Sequence, residues 1–391
     1  MFIASLLQVM VNTNLMSYAS SPAATEQTTV VLAWLRQLLG LPASFFGVLN
    51  ATADEGALTA FVTARDQALH ADGLQATSDS SRLRWYASPH VHSSLPKAAR
   101  IAGLGEPCFH AVAADASYRL DVAALERAIA ADLSRGLLPF AVTATVGTTS
   151  TLSIDPIADI ADVCQRYGLW LHVDAAYAGA AAISPPYRWV LDGCDQADSF
   201  VMNPHKWLGL PLGCSVFYTQ QREAVRRSLS EHPEYLRDTS PLTGAGHSFP
   251  DYMDYSINLT QPWRGLLLWM QLRLMGQQGI ASMIERHCTL AETFASWVRA
   301  DPDFELGVDP VSLNLVCLRA CPRGLDGSQL NAFNEQLLNR INSTGQHFLT
   351  HTVLDGKVVL RVSLGGTSDE QVARSLWQVL RQQRRLCRLE D

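Results

Sequence analysis

The chain has 391 residues, 48% of them hydrophobic and 17% charged, with a formal net charge of −7. This composition supports a large buried core, excludes a disordered chain, and at roughly 100–200 residues per domain suggests two or three domains. No basic run exceeds the pairs Arg226-Arg227 and Arg384-Arg385, which argues against nucleic acid or an anionic membrane as the main partner.

The eight cysteines are scattered and form no CxxC pair, as expected of thiols in a reducing, cytoplasmic setting. Residues 1–11 are apolar but lack a basic n-region, so they read as a core helix and not as a signal peptide. No apolar run approaches the roughly 18 residues of a membrane span. Ser21-Pro22 opens a helix that stops at Gly40. Helices are also expected over 54–70 and over 121–133, where Val122, Leu125, Ile129 and Leu133 fall on one face. Short apolar runs rich in β-branched residues at 140–146, 170–173, 199–202 and 214–218 read as strands, with a helix over 157–167 between the first two. Buried strands separated by helices predict a mainly parallel α/β sheet covered on both faces. Residues 230–251 turn to Pro, Gly, Ser, Thr and His, and read as a mobile functional loop. A long helical region follows over 263–300. Strands at 313–318 and 358–362, with helices at 328–341 and 369–386, then make a small α+β domain.

Two strand ends carry unusual chemistry. His172-Val173-Asp174-Ala175-Ala176-Tyr177 places a carboxylate at the end of one strand, and Asn203-Pro204-His205-Lys206 places an amine just after another. Ligands of open α/β sheets bind beyond such ends. An Asp that keeps a pyridine nitrogen protonated and a Lys that forms an imine are what pyridoxal phosphate (PLP) requires. The spacing alone fits a buried Asp–Lys salt bridge equally well.

HVDAAYAG at 172–179 and NPHKWL at 203–208 resemble the signatures of the group II pyridoxal-dependent decarboxylases. SPAATE at 21–26, HSS at 92–94, TVGTTS at 145–150, PEYL at 233–236 and DYMDY at 251–255 extend the resemblance over nearly the whole chain. It implies PLP fold type I, the aspartate aminotransferase-like fold, with a mainly parallel seven-stranded sheet and a small C-terminal α+β domain. The expected division is a remnant of an N-terminal helical segment at 1–45, a large PLP-binding α/β domain at 46–275 and the small domain at 276–391. The implied protein is a carboxy-lyase acting on a small amino-acid substrate, a cytoplasmic homodimer with its site at the subunit interface.

The resemblance assigns roles position by position. Lys206 matches the Schiff-base lysine and Asp174 the partner of the pyridine nitrogen. Ala176 packs under the ring, His92 stacks on its other face, and Thr149 lies beside it. Asn203 and His205 fall near the phosphate, which Thr52, Ala53 and Asp54 are expected to cradle at a helix start. Tyr235 matches a tyrosine on a mobile loop that protonates the substrate carbon. Relatives with phenylalanine there turn towards aldehyde formation, so Tyr235 favours simple decarboxylation. Met16, Tyr18, Arg264 and Arg361 are the candidate substrate contacts.

Three departures from the family pattern stand out. Asp54 occupies a position where serine is usual, and a carboxylate repels a phosphate. Only Arg264 remains of the basic residues expected near Gln261-Pro262-Trp263. The chain begins at a helix that, in relatives, follows an N-terminal three-helix domain, which is expected to be lacking here. No arginine stands ready for a second substrate carboxylate, so an aromatic amino acid is expected, and Thr260 hints at a hydroxylated ring. The alternatives are an aromatic aldehyde synthase, a glutamate- or aspartate-type decarboxylase, or a truncated, catalytically weak PLP-binding paralogue.

Overall fold

A computed structural model of the chain describes residues 2–73, 80–231 and 249–387. It divides into two compact units, one of Met1–Thr148 with Ser153–Ala281 and one of Thr149–Leu152 with Ser282–Asp391. The first runs α1 (Phe2–Val11), α2 (Pro22–Leu39), β1 (Phe46–Asn50), α3 (Ala53–Ala71), β2 (Leu83–Ala87), α4 (Ser94–Ile101), β3 (Phe109–Ala111), α5 (Val122–Ser134) and β4 (Leu138–Thr145). It continues with α6 (Ile157–Tyr167), β5 (Trp170–Asp174), β6 (Ser199–Met202), β7 (Ser215–Thr219), α7 (Arg222–Leu229) and the start of α8 (Arg264–Ala300). The second unit takes the end of α8 and adds β8 (Phe304–Leu306), β9 (Leu315–Ala320), α9 (Gly327–Ser343), β10 (Thr350–Leu354), β11 (Lys357–Ser363) and α10 (Glu370–Leu386).

The seven strands of the first unit lie in the order β1-β7-β6-β5-β4-β2-β3. All neighbouring pairs from β6 to β3 are parallel, while β7 runs antiparallel to both β6 and β1. This is the mainly parallel sheet the apolar runs predict. Every residue of β5, β6 and β7 is buried, as strands covered on both faces must be. Strands β1, β2 and β3, of five, five and three residues, fall in stretches where no strand was expected.

Local signals place several helix ends. Gly40 has φ 75° and closes α2 by donating to the carbonyls of Arg36 and Gln37. The Asp121 side chain accepts the Ala124 N–H and starts α5. Helix α3 approaches the sheet through Gly56, where an added Cβ would stand 2.6 Å from Val201 Cγ1. Glycine there lets the helix start sit directly over the end of β6.

Three expectations need correction. Residues 2–11 are helical, but they do not form a core helix. Only Ala4 is buried, and Phe2 and Met10 are 77% and 78% exposed, because no element among the described residues covers that face. The helix α8 is interrupted at Gly276, whose φ 61° and ψ 176° are non-helical. In the second unit β9 starts two residues later than its apolar run, since Leu313 takes φ 53° and breaks the extended backbone. That unit is an antiparallel sheet in the order β10-β11-β9-β8, packed on α9 and α10 through Leu318, Leu337, Leu360 and Leu380.

Candidate active site

Asp174 ends β5, registered against Thr145 of β4 and Val201 of β6. Its side chain is buried. One carboxylate oxygen accepts the Ala176 N–H at 3.0 Å, and the other has no partner among the described residues. Burial pushes this carboxyl above the usual range. The Ala176 N–H and the charges of Lys206 and His92 oppose that rise, while the Asp54 charge adds to it.

The turn after β6 is tied to the turn after β5, because the Asn203 N–H donates to the Ala176 carbonyl at 3.0 Å. The Lys206 N–H then donates to the Asn203 carbonyl at 2.9 Å, closing a tight turn that leaves the Lys206 side chain exposed. Asn203 is buried and its Oδ1 lacks a partner. His205 is half-buried and held by its Nδ1–H, which donates to the Cys214 carbonyl at 2.7 Å; burial lowers its pKa. Ala176 is buried beneath this same turn.

His92 precedes α4. Its Nδ1 accepts the Ser94 N–H at 3.2 Å and lies 2.7 Å from the Ser94 hydroxyl, which puts the ring proton of the neutral form on Nε2. Thr52 takes the N-cap position of α3, but its side chain makes no cap bond, so the first-turn N–H groups of Ala53 and Asp54 are left for an outside acceptor. The charges of Lys206, His92 and Asp54 all act on Asp174, so the structure gathers these groups around that carboxylate.

The remaining expected residues have their own partners and surroundings. Thr149 and Arg361 belong to the second unit, where Thr149 is exposed and Arg361 donates to Thr350 Oγ1 at 3.0 Å. The Met16 carbonyl accepts the Met253 N–H at 3.0 Å. The Tyr18 ring stacks on Phe249 at 5.5 Å, and its hydroxyl donates to Glu26 at 2.9 Å. Arg264 donates through Nε to the Gly213 carbonyl at 2.8 Å. Tyr235, with most of the expected loop, lies outside the described residues.

Sequence reasoning overlooked Glu55 and Asn50. Glu55 Oε2 accepts the Ala51 N–H at 2.9 Å and braces the turn into α3. The Thr52-x-x-Glu55 spacing, a capping-box pattern, was the available signal. Asn50 ends β1 fully buried with an unpartnered Oδ1, and nothing local in the sequence marks it.

This donor set suits pyridoxal phosphate: a buried carboxylate oxygen awaiting an N–H, an amine at the adjacent strand end, and an uncapped helix start for a phosphate. A sheet of this order with that pair at its strand ends defines a fold type I PLP enzyme. The model of the pyridoxal-dependent decarboxylase conserved domain matches residues 1–321, and the chain belongs to that family. It is 39% identical over 389 residues to tryptophan decarboxylase 2 of Oryza sativa subsp. japonica, covering 97% of this chain and 77% of the relative. It is 38% identical over 376 residues to phenylacetaldehyde synthase of Arabidopsis thaliana, covering 94% and 75%. The crystal structure of Oryza sativa TDC with PLP and tryptamine matches with TM-score 0.94 at 36% identity, covering 98% of this chain and 81% of that one. The protein is a PLP-dependent carboxy-lyase acting on an amino acid.

Proposed function

We propose that the substrate is an L-aromatic amino acid, released as its amine and carbon dioxide. The observation that carries this reading is the buried, half-partnered Asp174 carboxylate beside the Lys206 turn, taken with relatives named for tryptophan and tyrosine. Bound PLP supplies an electron sink for the carbon that loses carbon dioxide. Lys206 Nζ anchors the cofactor covalently. The Asp174 carboxylate keeps a proton on the ring nitrogen by charge, and its burial strengthens that interaction. His92 and Ala176 would hold the ring of the bound cofactor, and Thr149 is carried as a further candidate cofactor residue. The first turn of α3, from Thr52 to Asp54, binds the phosphate, with Asn203 and His205 nearby. Tyr235 Oη delivers the proton to the substrate carbon. Met16, Tyr18, Arg264 and Arg361 remain the proposed substrate-side residues.

The test is carbon dioxide and amine release from L-tryptophan, L-tyrosine, L-phenylalanine and L-glutamate with added PLP. Release from an aromatic substrate that vanishes in Lys206→Ala is expected. Turnover of glutamate alone, or turnover that survives Lys206→Ala, would sink the reading. Similarity to a phenylacetaldehyde synthase favours a second reading, oxidative aldehyde formation. An oxygen electrode separates the two: consumption of oxygen with peroxide and ammonia belongs to the second, and Tyr235 speaks for the first.

We also propose a cytoplasmic homodimer. The exposed apolar face of α1 supports the dimer, and the absence of any disulfide among the eight cysteines agrees with a reducing compartment. Sedimentation at a monomer mass, or fractionation with an organelle, would overturn the respective half.

A further inference from the structure

The first turn of α3 carries two carboxylates, Asp54 and Glu55, and the structure treats them differently. Glu55 is fully engaged. Its Oε2 accepts the Ala51 N–H at 2.9 Å, its Oε1 accepts from Asn258 Nδ2 at 3.3 Å, and its charge acts on the half-buried Arg264. Asp54 is half-buried, accepts no hydrogen bond among the described residues, and its charge acts on Asp174. The same turn leaves its first N–H groups uncapped, and just before it Asn50 is 2% exposed with an unpartnered Oδ1. The turn therefore offers uncapped N–H groups beside a buried amide oxygen without a partner among the described residues, and it carries a carboxylate that accepts no hydrogen bond among them.

Resting on the reading of Lys206 as the cofactor lysine, we infer that Asp54 sets cofactor discrimination: it narrows the preference of this site for phosphorylated over unphosphorylated pyridoxal. Uncapped N–H groups and the helix dipole attract a phosphate dianion. A carboxylate in the same turn repels it, and the charge of Arg264 is engaged by Glu55. The free hydroxyl of unphosphorylated pyridoxal carries no charge and donates a hydrogen bond, which a carboxylate accepts well. The same side chain therefore opposes one form and accommodates the other. Repulsion between charges in contact across a partly buried site corresponds to at least about tenfold in affinity.

Equilibrium dialysis of PLP and of pyridoxal, with the visible absorbance change on binding, tests this in wild type, Asp54→Ser, Asp54→Asn and Lys206→Ala. Both Asp54 variants are expected to bind PLP at least about tenfold more tightly, with pyridoxal unchanged or weaker. PLP affinity within about twofold of wild type in Asp54→Asn, or an equal shift for both aldehydes, would overturn the inference. Aldehyde binding undiminished in Lys206→Ala would instead overturn the reading of the site, and the inference with it. Urea midpoints of the Asp54 variants, expected to match wild type, separate a change in the cradle from a change in folding.

Discussion

The Asn203 N–H donates to the Ala176 carbonyl at 3.0 Å, and this one bond locks the turn bearing Lys206 to the turn that follows Asp174. Register between β5 and β6 carries the amine and the carboxylate to the same edge of the sheet, and the Asn203–Ala176 bond fixes their spacing beyond the last strand pairs. The two groups are thereby preorganised without needing a direct ion pair.

Asp174→Asn keeps an acceptor for the Ala176 N–H and deletes a buried, half-partnered charge. Without cofactor the variant should be more stable by about 1–3 kcal/mol, since ionising this carboxyl in the folded chain is costly. Turnover should fall at least about 100-fold. Urea unfolding of the cofactor-free proteins and a carbon dioxide assay measure the two effects, which have opposite signs. A loss of stability would show that the carboxylate is structurally satisfied.

His172 shares the inner face of β5 with Asp174. Its Nδ1 lies 2.8 Å from the Ser199 hydroxyl, its Nε2 has no partner among the described residues, and burial pushes its pKa down to about 3. The unfolded chain takes up a proton near the ordinary histidine value of 6.5 while the folded chain resists it. Stability from this residue is therefore complete above about pH 6.5 and declines as pH falls towards 3. A loss on the order of 2 kcal/mol between about pH 6.5 and 5 is expected, and His172→Gln should flatten it. An unchanged slope in urea midpoints over that range would remove His172 as the cause.

Gly56→Ala inserts a methyl group 2.6 Å from Val201 Cγ1. Overpacking should cost about 1–3 kcal/mol and push the start of α3 away from the strand ends, weakening PLP binding as well. Thermal unfolding together with a PLP titration reads both; retained PLP affinity would mean the helix start moves independently of the contact.

Arg264→Ala removes the bond to the Gly213 carbonyl and the charge opposite Glu55. A stability loss of about 1–3 kcal/mol is expected, together with a rise in KM for the amino acid. An unchanged KM beside that stability loss would remove Arg264 from the substrate side.

Much of this protein is legible in the chain because its signals are local. The helix over 157–167 and the strand over 199–202 are found with the bounds their apolar patterns imply, and caps such as Asp121 and Gly40 act on backbone groups a few residues away. The motifs around Asp174 and Lys206 were equally readable, since each is a short contiguous run. What remained hidden depends on partners distant in sequence. An apolar run has no direction, so the antiparallel β7 became visible only in the assembled sheet. Burial of Asn50, the missing partner of His172 Nε2 and the uncovered face of α1 follow from what the rest of the chain places against them, or fails to place. Lys206 and Asp174 were identified by sequence as two residues; packing of β5 on β6 and the bond from Asn203 to Ala176 made them one site, because only non-local hydrogen bonding sets the distance between two strand ends.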